Sequence, residues 1–260
     1  MSSKLKDRIE SYQKTTDLKM LERLPIIISL NGRSFAKHTS LLTKPYCSKL
    51  AECLAATTLK VCSEIEGVFF AYQFNDEIVL VARNDQTNET EPFCDNKVQK
   101  ICSIASSVAS LHFGDCLKRI ELDLVGNPIF TANIFAVPNI AEATNTMIYK
   151  QQQNFHLSVQ SACLYELIKK YDRSAIKEML TGLTIDEKID LLLQECGIKF
   201  NDYPMSFRRG VAAYRVPKVV DGNMKNKWHI NTELPIFTRD QSFLSNIFRL
   251  GSDFIRQDSL

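Results

Sequence analysis

Two strongly apolar runs, Val68–Phe74 and Glu77–Ala82, are separated by nothing but Asn75-Asp76. Runs of that length, rich in β-branched and aromatic residues around a two-residue polar turn, read as a β-hairpin. The hairpin limits what the rest of the chain can be. Ahead of it, Pro25-Ile-Ile-Ile-Ser-Leu30 reads as a buried strand that ends at the turn signal Asn31-Gly32-Arg33. Between the two lies a helical stripe of Leu50, Leu54, Thr57, Val61 and Ile65, stopped by Gly67. After the hairpin and a polar loop over Asp85–Glu91, helical spacing returns at Val98, Ile101, Cys102, Ala105, Val108 and Ala109, followed by Gly114. A last extended stretch, Ile129–Val137, closes at Pro138. The order is β-α-ββ-α-β, an α+β arrangement of the ferredoxin-like kind that polymerase palms also use.

From residue 139 the texture becomes helical. Ile148, Phe155, Val159, Cys163 and Leu167 form one long stripe, and Met179, Leu180 and Leu183 a second. Thr184 with Glu187 three residues later forms a capping box that opens a third helix. Phe207–Val216 reads as extended, Lys225–Lys227 as a basic loop, and the chain ends in a Trp228–Phe237 segment and a short helix. The expected organisation is a palm-like domain over 1–138 and a mainly helical appendage with a short β segment over 139–260.

Composition excludes several classes. With 45% hydrophobic residues and only 9 Gly, the 260-residue chain is neither disordered nor collagenous. No apolar run approaches the roughly 18 residues needed to span a bilayer, and the polar N-terminus does not resemble a secretory signal. The balance of 32 basic against 30 acidic residues leaves room only for local basic patches. The 8 Cys form no C-x-x-C pair, so they read as small buried hydrophobes in a reducing compartment. An intracellular, cytoplasmic protein without a membrane partner is expected, with an organelle left open.

Chemistry centres on the hairpin tip. Asp76 and Glu77 would project toward the strand end at Asn31-Gly32-Arg33, and metal-assisted nucleotidyl transfer needs carboxylates from two strands around a pair of Mg²⁺ ions. By itself an Asp-Glu pair is ordinary turn chemistry. Arg33, Lys44, Lys97 and Lys100 at element ends add cations suited to phosphate, the last two in a helical first turn. Arg208-Arg209-Gly210 could meet an RNA backbone.

The strings Ile28-Ser-Leu-Asn-Gly-Arg-Ser-Phe35, Tyr72-Gln-Phe-Asn-Asp-Glu-Ile78, Phe130-Thr-Ala-Asn-Ile-Phe135, Lys150-Gln-Gln152 and Phe207-Arg-Arg-Gly210 occur in order. Together they resemble the tRNA-His guanylyltransferase family, and more closely its guanylyltransferase-like branch, from about Lys4 to Phe248. The resemblance implies a polymerase-like palm with two Mg²⁺ ions and ATP or GTP as substrate. It further implies 3′-to-5′ nucleotide addition at the 5′ end of tRNA or a tRNA-like RNA, and a homotetramer. On the matching positions it implies Asp76, Glu77, Asn31 and the Gly32 carbonyl as metal ligands, the first three also catalytic. Arg33, Lys44, Asn75, Lys97 and Lys100 would face the nucleotide, and Lys150, Arg208 and Arg209 the RNA. The departures are as informative. Ser29 and Asn31 stand where the family motif has Arg and Asp, and Asn75, Thr131, Asn133, Gln153, His156 and Leu157 also differ. Their number implies a subunit that has drifted, either a nucleotidyltransferase still or an impaired homologue that binds RNA or regulates an active partner in a hetero-oligomer.

Overall fold

The computed structural model describes all residues except 1–2, 84, 86–89, 221–222 and 258–260; of residues 3, 220, 223 and 250–257 it describes the backbone alone. The expected loop over Asp85–Glu91 therefore lies largely outside the described residues. The elements are α1 (Ser3–Lys14), β1 (Ile26–Gly32), α2 (Phe35–His38), α3 (Ser48–Glu64), β2 (Val68–Phe74), β3 (Glu77–Ala82), α4 (Val98–Arg119) and β4 (Phe130–Ala136). The second half adds α5 (Ile140–Leu167), α6 (Arg173–Leu180), α7 (Ile185–Cys196), α8 (Met205–Arg209), β5 (Val211–Val220), β6 (Asn223–Asn231) and α9 (Gln241–Gln257).

One antiparallel sheet organises them, in the order β4-β1-β3-β2-β5-β6. Alternation along the strands sorts the side chains onto two faces. Ile26, Ile28, Leu30, Ile78 and Leu80 meet α3 and α4 on one face. Ile27, Val79, Val81, Tyr72 and Phe74 meet the first half of α5 and α9 on the other. With both faces covered, β2 is buried along its whole length. At 28 residues, α5 spans about 42 Å. Its start is capped by Asn139, whose Oδ1 accepts from the Glu142 N–H at 2.9 Å. Its second half leaves the sheet and builds a third cluster, Val159, Cys163 and Leu167 with Ile176, Leu192, Phe200 and Phe207.

The sheet continues past residue 138, because β5 pairs with β2 (Tyr72 opposite Ala212). Several local expectations are corrected. Lys225–Lys227 lie in β6 rather than a loop, and Phe207 lies in α8 rather than a strand. Gly114 sits inside α4, and α9 has 17 residues rather than being short. Two of these share a cause, long-range pairing or packing that overrides a local signal: β6 forms on β5 despite its polar residues, and α4 runs through Gly114. The capping box at Thr184 and Glu187 is present, and all eight cysteines are free thiols.

Candidate active site

Gly32 ends β1 where the β2–β3 hairpin turns. Its N–H donates to the Asp76 carbonyl at 3.0 Å, and a Cβ added to Gly32 would lie 3.0 Å from the Asp76 Cβ and collide with the Phe35 ring. Only glycine lets hairpin tip and strand end close together here. Below them Phe35 packs on Phe113 and Phe130, with ring centroids 5.5 and 6.0 Å away, which anchors the strand end. The tip bends at Asn75, whose φ of +44° an Asn tolerates better than most residues. Asp76 is thus held against Gly32, half-buried, and burial pushes its carboxyl above the ordinary value, with Glu77 adding to the rise and Lys44 opposing it.

Asp76 and Lys44 line one cleft of about 480 Å³ between the hairpin tip, α2, α3, the second half of α5 and α8. Phe35, Leu50, Leu54 and Leu164 give it an apolar wall. The Lys44 ammonium donates to Thr39 Oγ1 at 2.9 Å and lies 5.7 Å from the Tyr165 ring centre, and burial lowers its pKa. Asn75 is exposed at the mouth; Arg33, next after Gly32, is exposed too, and its backbone N–H donates to the Ile129 carbonyl at 2.8 Å.

Glu77 is on different business. Strand register pairs Asn31 with Glu77 on one side and Thr131 on the other, so Ser29, Asn31 and Glu77 share the sheet face that α5 covers. One Glu77 oxygen, Oε1, accepts both the Ser29 hydroxyl at 2.7 Å and the Lys150 ammonium at 2.6 Å. Both charged side chains are largely buried, Lys150 19% and Glu77 13% exposed. Asn31 Nδ2 lies 3.4 Å from the same Ser29 hydroxyl. Lys150, expected at the RNA, is therefore tied into this face, a partnership that local sequence could not signal because it needs the β1–β3 neighbourhood and the crossing of α5.

Lys97 and Lys100 are not brought to the site. Lys97 pairs with Asp17 at 2.9 Å, and Lys100 is exposed. Their neighbour Asn96 lines a small cavity with Ile26 and Ala82, at the opposite end of β1 from Gly32. Six strand steps separate those ends, about 20 Å. The helical first turn holds, but α4 runs with its other end toward Asp76.

A second cleft, about 730 Å³, lies on the other side of α5 and is lined by Arg208, Arg209, His156 and, unforeseen from the sequence, Arg239. Both expected arginines are partly committed inward: Arg208 donates to the Tyr203 carbonyl at 2.8 Å and Arg209 to that of Leu234 at 2.9 Å. The turn after them is closed by Gly210, at a φ of +78° against the Tyr72 ring.

The residues at the hairpin do not fit a centre of two magnesium ions. Among the described residues no group of three or more His, Cys, Asp or Glu is placed to hold a metal. Asn31 is neutral, and the Glu77 carboxylate already has a cation. Asp76 alone offers an unpaired carboxylate against Gly32.

Comparison with known proteins agrees with this architecture. The bacterial tRNA(His) guanylyltransferase (Thg1)-like protein in complex with ATP superposes with a TM-score of 0.81 over 94% of this chain and 98% of that one, at 23% identity. The structure of such a bacterial protein in complex with GTP gives 0.76, over 94% and 99%, at 22% identity. In sequence, tRNA(His) guanylyltransferase 1 of Arabidopsis thaliana is 24% identical over 228 residues, 85% of this chain, which spans 39% of the length of that relative. The sequence pattern described as "Thg1: tRNAHis guanylyltransferase" matches residues 6–138, about half the chain and all of β1 to β4. A hairpin tip locked onto a strand end, in this sheet and with that match, makes the chain a member of the tRNA-His guanylyltransferase family.

Proposed function

We propose that this protein is a slow tRNA 5′-end nucleotidyltransferase. It takes ATP or GTP into the Asp76–Lys44 cleft and adds nucleotides in the 3′-to-5′ direction to a tRNA or tRNA-like RNA. The observation that carries this reading is the joint lining of one cleft by Asp76 and Lys44 at the mouth of β1. The β-α-ββ-α-β order on an antiparallel sheet supports a palm. Family membership, and relatives described in complex with ATP and with GTP, support the substrate class.

In this reading each residue has a task. Thr39 and Tyr165 hold the Lys44 ammonium so that it meets the triphosphate, and the apolar wall takes the base. Arg33 and Asn75 meet phosphate at the mouth. RNA backbone runs along the second cleft, over Arg208, Arg209 and Arg239. The 3′-hydroxyl of the incoming nucleotide attacks the activated 5′ phosphorus of the RNA. A bond to that hydroxyl oxygen forms, the bond to the activating group breaks, and the hydroxyl proton leaves to solvent. Phosphoryl transfer runs on positioning and charge cancellation. With Asn31 neutral and Glu77 already paired to Lys150, the hairpin would hold a divalent cation against the phosphates poorly, so Lys44 and Arg33 carry most of that cancellation, and each 1.4 kcal/mol of lost stabilisation costs about tenfold in rate.

The same two features favour a second reading, a subunit that binds RNA or nucleotide beside an active homologue in a mixed oligomer. Incubating the pure chain with 5′-truncated tRNA, labelled nucleoside triphosphate and Mg²⁺ separates them. Slow 5′ extension is expected; no extension leaves the second reading, and extension that the double change Asn31→Asp, Lys150→Met does not speed up contradicts the reason given for slowness.

A further inference from the structure

We propose that Lys150 is the resident cation of this site: its ammonium takes, on Glu77, the place a divalent ion would need, so the chain binds nucleoside triphosphate without a protein-bound metal ion. This deepens the reading of the Asp76–Lys44 cleft as a triphosphate site, and rests on it.

Three observations converge. The first is geometric. The Lys150 ammonium and the Ser29 hydroxyl meet the same Glu77 oxygen, at 2.6 and 2.7 Å, so the carboxylate has its charge and its hydrogen-bond demand answered on one side. The second is placement. Lys150 lies one turn after Met147, which is packed on the sheet, and with the ion pair mostly out of water the ammonium cannot drift into solvent without leaving Glu77 buried and unpaired. The third is charge. Two carboxylates at the tip, Asp76 and Glu77, face two ammoniums, Lys44 and Lys150, while Asn31 contributes none. A divalent ion could reach Glu77 only through the oxygen that Lys150 and Ser29 leave open, and would do so against the Lys150 charge beside it. Magnesium asks for tight octahedral oxygen coordination at about 2.0–2.1 Å, which a carboxylate with one oxygen taken by an amine and a hydroxyl, beside the neutral Asn31, supplies poorly.

Two measurements on the full chain test this. Manganese alone, followed by electron paramagnetic resonance, reads whether the protein holds a divalent ion. Wild type should leave Mn²⁺ free, and so should Asn31→Asp, where Lys150 remains. Asn31→Asp with Lys150→Met, checked for folding by circular dichroism, should bind it. ATP titration by calorimetry, in EDTA and in Mg²⁺, reads the consequence: the wild-type affinity should differ by less than about threefold, and that of the double variant by about tenfold or more. Mn²⁺ binding by the nucleotide-free wild type overturns the proposal, as does a tenfold loss of wild-type ATP affinity in EDTA. If ATP binds in neither buffer, the reading of the cleft fails, and the manganese result still decides the role of Lys150. If the double variant does not fold, the wild-type arms decide it.

Discussion

Replacing Lys150 by Met removes the ammonium from Glu77 while keeping most of the length and apolar stem of the side chain. The pair is 19% and 13% exposed, so water screens it little. Breaking one partner of a buried ion pair costs about 3–5 kcal/mol, because the survivor is left charged and uncompensated. Here Ser29 still donates to the stranded oxygen at 2.7 Å, and a hydrogen bond to a charged group offsets part of that. The expected loss is therefore about 2–3 kcal/mol. Adding Glu77→Gln to the Met variant removes the stranded charge and should recover the stability to within about 1 kcal/mol of wild type. Urea unfolding followed by circular dichroism and by fluorescence, with the midpoint compared at constant slope, gives both numbers. A loss below about 0.5 kcal/mol for Lys150→Met would put the pair among ordinary surface ion pairs and refute the reasoning.

Asp76→Asn should stabilise the fold at neutral pH while abolishing 5′ extension, since burial raises the Asp76 carboxyl and its ionised form opposes folding. The sign follows from linkage. Below the unfolded carboxylate value of about 3.9 both states are protonated and the gain is absent; it builds as pH rises to the raised native value and is constant above. A gain of equal size in acid, read from thermal unfolding across pH, would contradict this. The double change Lys97→Ala, Lys100→Ala should leave ATP affinity within twofold or so of wild type, because both lysines follow Asn96 at the far end of β1, a strand about 20 Å long, from the Asp76 cleft; a tenfold loss in the same titration would place them back at the nucleotide.

How much the sequence could tell depended on the range of the interaction. The hairpin, its two-residue turn, the strand before Gly32 and the capping box at Thr184 are written in residues a few positions apart, and they stand in the structure. The closeness of Asp76 to Gly32 was legible from the β-α-ββ-α-β order, which sets the hairpin beside the first strand. The direction of α4 was not: a helix start says nothing about which end of the sheet it serves, and Lys97 was misplaced for that reason. The Glu77–Lys150 pair joins residues 73 positions apart through a strand register and a helix crossing that no local pattern encodes. β6 was missed because its lysines alternate in a paired strand as they would in a loop.

The claim that everything turns on is that a triphosphate binds beside Lys44. Equilibrium binding of labelled ATP to wild type and to Lys44→Ala tests it most directly. One charged phosphate contact carries about 1.5–3 kcal/mol, so the variant should bind about 10–100-fold more weakly. Equal affinity for the two proteins would mean that the nucleotide, if it binds, binds elsewhere.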